Sequence, residues 1–104
     1  MSLSSMIVSL LSDVTDPAVR SDISTTIFFL RGLYLSGKIS EGELRSEIKN
    51  VVKTVLEFTH PEMLPDEIEK RSDELTGQIV RVIKLEALRS RTILRHSLSP
   101  SGGP

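Results

Sequence analysis

The chain has 104 residues, a formal net charge of −1 and no cysteine. This length suits one domain with a single modest core. The lack of cysteine excludes disulfides, cysteine-ligated zinc and cysteine nucleophiles. No apolar run reaches the roughly 20 residues that a membrane-spanning helix needs, so we expect no membrane contact. The first residues lack the basic region of a secretory signal. A cytoplasmic location is the default expectation.

Charge is unevenly distributed along the chain. Residues 1–80 contain 8 basic and 13 acidic side chains, a net charge of −5. Residues 81–104 contain 5 basic and 1 acidic side chains, a net charge of +4. An acidic body with a basic end is the main electrostatic signal of the sequence.

The first two helices are predicted from their capping residues. Ser2 or Ser4 can cap a short amphipathic helix that should end near residues 13–15. Asp16 as N-cap and Pro17 at the first helical position open a second helix, predicted over residues 17–36.

The segment Ile23–Leu30 is the ambiguous part of the second helix. It is rich in Ile, Thr and Phe, a composition typical of strands. Apolar residues nevertheless recur at helical spacing through it, from Val19 to Leu30, and this spacing favours a helix.

A helical hairpin is predicted between the second and third helices. Gly37 suits the left-handed position after a helix. Ser40 and Glu43 have the spacing of a capping box, which predicts a third helix over residues 41–59. Its predicted buried stripe consists of Leu44, Ile48, Val51, Val55 and Phe58.

The fourth helix is predicted to be long, over residues 65–96. Pro65 suits its first position, and acidic side chains at its start and basic ones at its end complement the helix dipole. Gly77 costs about 1 kcal/mol relative to alanine and marks a break, a bend or the close approach of another helix, with continuity favoured. An unbroken helix would be about 45 Å long, longer than a compact domain of this size, which is about 35 Å across.

This excess length predicts a partner or self-association along the fourth helix. Its apolar face is wide between residues 79 and 88, which suggests burial on more than one side. The predicted partner or oligomer interface consists of Leu75, Ile79, Val82, Ile83 and Leu94.

A basic stripe occupies the end of the same helix. It consists of Arg81, Lys84, Arg91 and Arg95, with Arg89 beside it. Such a stripe can pair with phosphates, can bind an acidic protein surface, or can simply be a solvated face. The sequence lacks the aromatic platform and glycine-rich loop of many nucleic-acid-binding proteins.

No catalytic, metal or cofactor site is predicted. His60 and His96 are the only histidines, and each suits a helix end better than a metal site. The carboxylates near the start of the fourth helix are expected to be solvated, whereas general acid–base chemistry needs buried pairs. We therefore expect neither an enzyme nor a small-molecule substrate.

Together these patterns predict an all-α fold, a small bundle of about four helices with a long basic C-terminal helix. Residues 1–96 should form a single helical domain and residues 97–104 a flexible tail. The predicted function is a non-catalytic protein–protein interaction module, either a homo-oligomer or an accessory subunit of a larger assembly. The alternative is a nucleic-acid-binding protein, or an accessory subunit of a nucleic-acid machine, that uses the basic stripe.

Overall fold

The computed structural model describes the backbone of residues 2–98 and the side chains of residues 2–89. It contains four helices and is 81% helical, and no strand occurs in the described residues. The predicted all-α small bundle is thereby confirmed, and the ambiguous segment Ile23–Leu30 is helical. The helices are α1 (Leu3–Leu10), α2 (Pro17–Leu35), α3 (Glu41–Thr59) and α4 (Pro65–Leu98).

Helix α1 ends earlier than the sequence predicted. Ser2 caps its start by accepting a hydrogen bond from the Ser5 amide at 3.1 Å. The helix stops at Leu10, because a turn follows in which the Val14 amide donates to the Leu11 carbonyl at 3.0 Å. The turn directs the side chains of Leu11 and Val14 into the core.

The end of α2 adopts the glycine-terminated form that the sequence predicted. Gly37 has a φ of 76°, the left-handed region that favours glycine. The Lys38 amide donates to the Leu33 carbonyl at 2.8 Å and the Gly37 amide to the Tyr34 carbonyl at 3.0 Å. These two bonds form a Schellman motif, which satisfies carbonyls that the helix end would otherwise leave open.

The capping box at the start of α3 is confirmed. The Ser40 hydroxyl accepts from the Glu43 amide and the Glu43 carboxylate accepts from the Ser40 amide, each at 3.1 Å. Together with the Schellman motif, this box fixes the short turn between α2 and α3. The two helices therefore form the predicted hairpin, at residues 17–35 and 41–59.

Helix α3 lies at the centre of the bundle, with α2 and α4 packed against it, and α1 packs against α4. Because α3 has two neighbours, its buried face is wider than a single stripe. The prediction for this face was wrong at its end, since Phe58 is 72% exposed. Val52 and Leu56 are buried instead, alongside Leu44, Ile48 and Val55.

Helix α4 is continuous through Gly77 and runs antiparallel to α3. Lys49 of α3 pairs with Glu69 and Asp73 in the first half of α4, whereas Glu41, at the start of α3, pairs with Lys84. Helix α3 has 19 residues and α4 has 34, so the end of α4 extends past the start of α3. None of the helices in the described part of the chain is long and apolar enough to cross a membrane.

Candidate partner-binding surface

Two leucines are exposed on the second half of α4. Leu85 is 46% exposed and Leu88 is 61% exposed. Residues three apart on a helix are neighbours, so the two side chains form one apolar surface. Gly77 and Arg81 precede Leu85 by two and one helical turns and lie on the same outward side of α4. This side of the helix, with Gly77, Arg81, Leu85 and Leu88, is called the outer face of α4.

A groove of about 390 Å³ borders the outer face of α4. Helix α4 forms one wall with Gly77, Arg81, Lys84, Leu85, Ala87 and Leu88. Tyr34 at the end of α2 and Arg45 near the start of α3 complete the lining. The groove therefore combines leucine side chains with three cations and one aromatic ring.

The three cations of the groove differ in their ion pairs. Lys84 Nζ lies 3.0 Å from a Glu41 carboxylate oxygen, and Arg45 lies 3.7 Å from the other. The hydrogen bond from Lys84 is the main reason why the pKa of Glu41 lies below its ordinary value. Arg81 forms no ion pair with any other residue of the described part of the chain. Arg81 is therefore the cation best placed to meet a partner.

The structure places the predicted interface residues mainly inside the chain's own core. Ile79 and Ile83 are fully buried there, and Leu75 and Val82 are half-buried against it. The side chain of Leu94 lies outside the described residues. Among the described residues the wide apolar face is buried on one side only, because Leu85 and Leu88 are exposed.

The structure describes the side chains of only some residues of the predicted basic stripe. Arg81, Lys84 and Arg89 are exposed on α4. The side chains of Arg91 and Arg95 lie outside the described residues, as does that of His96. The structure adds Arg45, which the sequence analysis did not connect with the stripe. Arg45 lies on another helix, and spacing along α4 carries no signal for it.

A second cleft lies between α1, the end of α3 and the first half of α4, with a volume of about 290 Å³. At its edge the His60 ring lies 3.6 Å from an Asp13 oxygen and 3.3 Å from a Glu62 oxygen. No group of side chains suited to hold a metal ion occurs in the described residues. These contacts tie the turn after α3 to the turn after α1, a structural role that requires no ligand.

Comparisons of the chain with protein-family models, with curated proteins and with solved structures gave no match. The functional conclusion therefore depends on the geometry of the outer face of α4.

Proposed function

We propose that this protein is a non-catalytic protein–protein interaction module, either a homo-oligomer or an accessory subunit of a larger assembly. It binds its partner through the outer face of α4. The observation that carries this proposal is the exposure of Leu85 and Leu88 beside an open groove with Arg81 on its wall.

Single exposed apolar side chains are common on protein surfaces and need no explanation. Leu85 and Leu88 differ from such single side chains in three ways. They are neighbours on one helix face, they border a concave groove, and cations lie beside them. An apolar centre surrounded by polar and charged side chains is the usual composition of a protein interface, in which arginine is enriched. The length of α4 supports the same proposal, because the helix continues past the first residue of its neighbour α3.

Co-purification from the source cells tests the proposal. A tagged chain should retain a specific protein, either another copy of itself or a different subunit. The double variant Leu85→Glu/Leu88→Glu should lose that protein, since two carboxylates would replace the apolar centre. Phe58→Glu is the matched control, because Phe58 is an exposed apolar residue on α3 that the proposal does not use. Equal retention by the double variant and the wild type would contradict the proposal.

Nucleic-acid binding is the second candidate function. It is supported by the approach of Arg45 to Arg81 and Lys84, which concentrates three cations along one groove. Guanidinium and ammonium groups placed in this way can follow a phosphate backbone. Two of the three cations already share Glu41, however, and this partial neutralisation favours the interaction module.

A further inference from the structure

We infer that the partner of the outer face of α4 is a second copy of the chain, whose α4 crosses the first antiparallel near Gly77. This inference rests on the proposed function and specifies its partner. Three features of α4 carry it: a glycine in the middle of the helix, carboxylates on the outer face before that glycine and cations after it, and the exposed leucines.

Gly77 has no close packing neighbour among the residues that the structure describes. The helix does not break there, and a Cβ built on Gly77 would meet no other atom within 4 Å. Within the described structure, no close neighbour accounts for a residue that weakens a helix interior. A glycine on an exposed helix face does allow a second helix to approach its backbone closely. Close approach from outside the chain is the remaining structural use for Gly77.

On the outer face of α4, the exposed carboxylates of the described residues lie before Gly77, together with Lys70 and Arg71, whereas the exposed charged side chains that follow it are only cations. The carboxylates are Glu67 and Glu74, the second of which lies 3.2 Å from Arg71 of its own chain, and the cations that follow include Arg81 and Arg89; all five are exposed. In an antiparallel pair centred near Gln78, Glu74 of one copy lies close to Arg81 of the other. Glu67 then lies opposite Arg89. Twofold symmetry repeats both contacts, so four opposite-charge pairs form for each dimer.

The same alignment covers the exposed leucines. Leu85 and Leu88 follow the crossing point by about two helical turns, and Lys70 and Arg71 precede it by a similar distance. The leucines of one copy therefore meet the alkyl parts of Lys70 and Arg71 of the other, which can cover apolar surface while their charges stay in water. A parallel pair would instead place Arg81 beside Arg81 and Glu74 beside Glu74, and like charges would repel.

Substitution of Gly77 separates this inference from simple helix stabilisation. Gly77→Gln has room for its side chain in the single chain and should stabilise the helix. At the crossing point, the same side chain should hold the two helices apart and weaken dimerisation about tenfold or more. Gly32→Gln is the matched control, because Gly32 is an exposed helical glycine of α2 that also has no atom within 4 Å of a built Cβ. Sedimentation equilibrium of the full chain should show weaker dimerisation for Gly77→Gln alone, and unchanged dimerisation would overturn the inference.

Charge reversal tests the antiparallel register. Arg81→Glu should weaken dimerisation, because it places two carboxylates close together at each of the two symmetric contacts. The double variant Arg81→Glu/Glu74→Arg should restore dimerisation, since the two charges are exchanged within the same pair. A double variant as weak as the single one would overturn the register.

Disulfide trapping gives an independent measure of the alignment, because the native chain contains no cysteine. Gln78→Cys lies at the crossing point and should form a linked dimer under mild oxidation. Lys70→Cys should not, since its two copies would be roughly 24 Å apart, far beyond disulfide reach. Equal linkage at both positions would indicate a parallel pair and overturn the inference. A purified chain that is monomeric at all concentrations would also overturn it, whereas the proposed function would still be judged by the co-purification of the leucine variant.

Discussion

Lys84 Nζ of α4 lies 3.0 Å from Glu41 Oε1, and Glu41 is the first residue of α3. This contact marks the point at which α4 passes the first residue of α3. Fourteen residues of α4, 85–98, follow Lys84 and extend for about 21 Å. Leu85 and Leu88 lie at the beginning of this extension and point outward, whereas Ala87 between them is buried.

The capping box of α3 should contribute measurably to stability. Ser40→Ala removes the hydroxyl that accepts from the Glu43 amide, and we expect the free energy of unfolding to fall by about 1 kcal/mol. Urea denaturation followed by circular dichroism measures this change. Ser46→Ala, at an exposed position inside the same helix, is the control and should leave the midpoint nearly unchanged. Coincident midpoints for Ser40→Ala and the wild type would contradict the expected contribution.

Thr76 places a hydroxyl in the core of the bundle. Its oxygen is buried and has no hydrogen-bond partner among the described residues. Thr76→Val replaces the hydroxyl by a methyl group of similar size, and we expect the free energy of unfolding to rise by about 1 kcal/mol. Thr54→Val is the control, because the exposed Thr54 hydroxyl donates to the Asn50 carbonyl at 2.8 Å. A loss of stability in Thr76→Val would show that the hydroxyl has a partner.

The ion pairs between α3 and α4 should make stability depend on pH. The hydrogen bond from Lys49 is the main cause that lowers the pKa of Glu69 below its ordinary value of 4.5, and Lys53 adds to it. Because the folded pKa is the lower one, this stabilisation is present above pH 4.5 and is lost as the pH falls through the folded pKa. Hydrogen bonds to Glu69 and Asp73 raise the pKa of Lys49 above 10.5, so its stabilisation is lost only as the pH rises through that raised pKa.

Glu69→Gln tests this dependence. The variant should be less stable than the wild type at neutral pH, and the difference should shrink as the pH falls below 4.5. Because Glu69 is exposed and Lys49 is only partly buried, added salt should also reduce the difference. Thermal unfolding at several pH values measures both effects. Glu57→Gln, an exposed carboxylate on α3, is the control, and a pH-independent difference for Glu69→Gln would contradict the prediction.

Salt dependence separates the two candidate functions. Phosphate contacts by Arg45, Arg81 and Lys84 would give a log–log slope of affinity against salt of about −2.7 on duplex DNA. The interaction-module proposal predicts no measurable binding of duplex DNA or RNA even at about 50 mM salt. Fluorescence anisotropy measures this affinity. A steep slope that disappears in Arg45→Glu/Arg81→Glu would favour the nucleic-acid function instead.

Local signals in the sequence were sufficient to predict where most of the helices begin and end. Pro17, Ser40 and Pro65 begin helices where predicted, and Gly37 ends α2 as expected. These residues act through their own backbone neighbours, so their effect can be predicted without tertiary information.

Burial was harder to predict, because it depends on which helices become neighbours. Phe58 fits the apolar period of α3 but lies where neither α2 nor α4 covers it. Leu85 and Leu88 fit the apolar face of α4 but point outward, and Ile79 and Ile83 fill the core. The approach of Arg45 to Arg81 likewise depends on the packing of α3 on α4, which spacing along one helix does not encode.

Site-specific photo-crosslinking in the source cells tests whether the outer face of α4 is the surface that binds the partner. A photoreactive amino acid placed at Leu88 should form an adduct with a protein, because the outer face of α4 is proposed as the contact surface. The same amino acid at Phe58, which is also exposed, should form little or none. We predict a discrete protein adduct at Leu88 alone. No adduct at Leu88, or equal adducts at both positions, would contradict the proposed role of the outer face of α4.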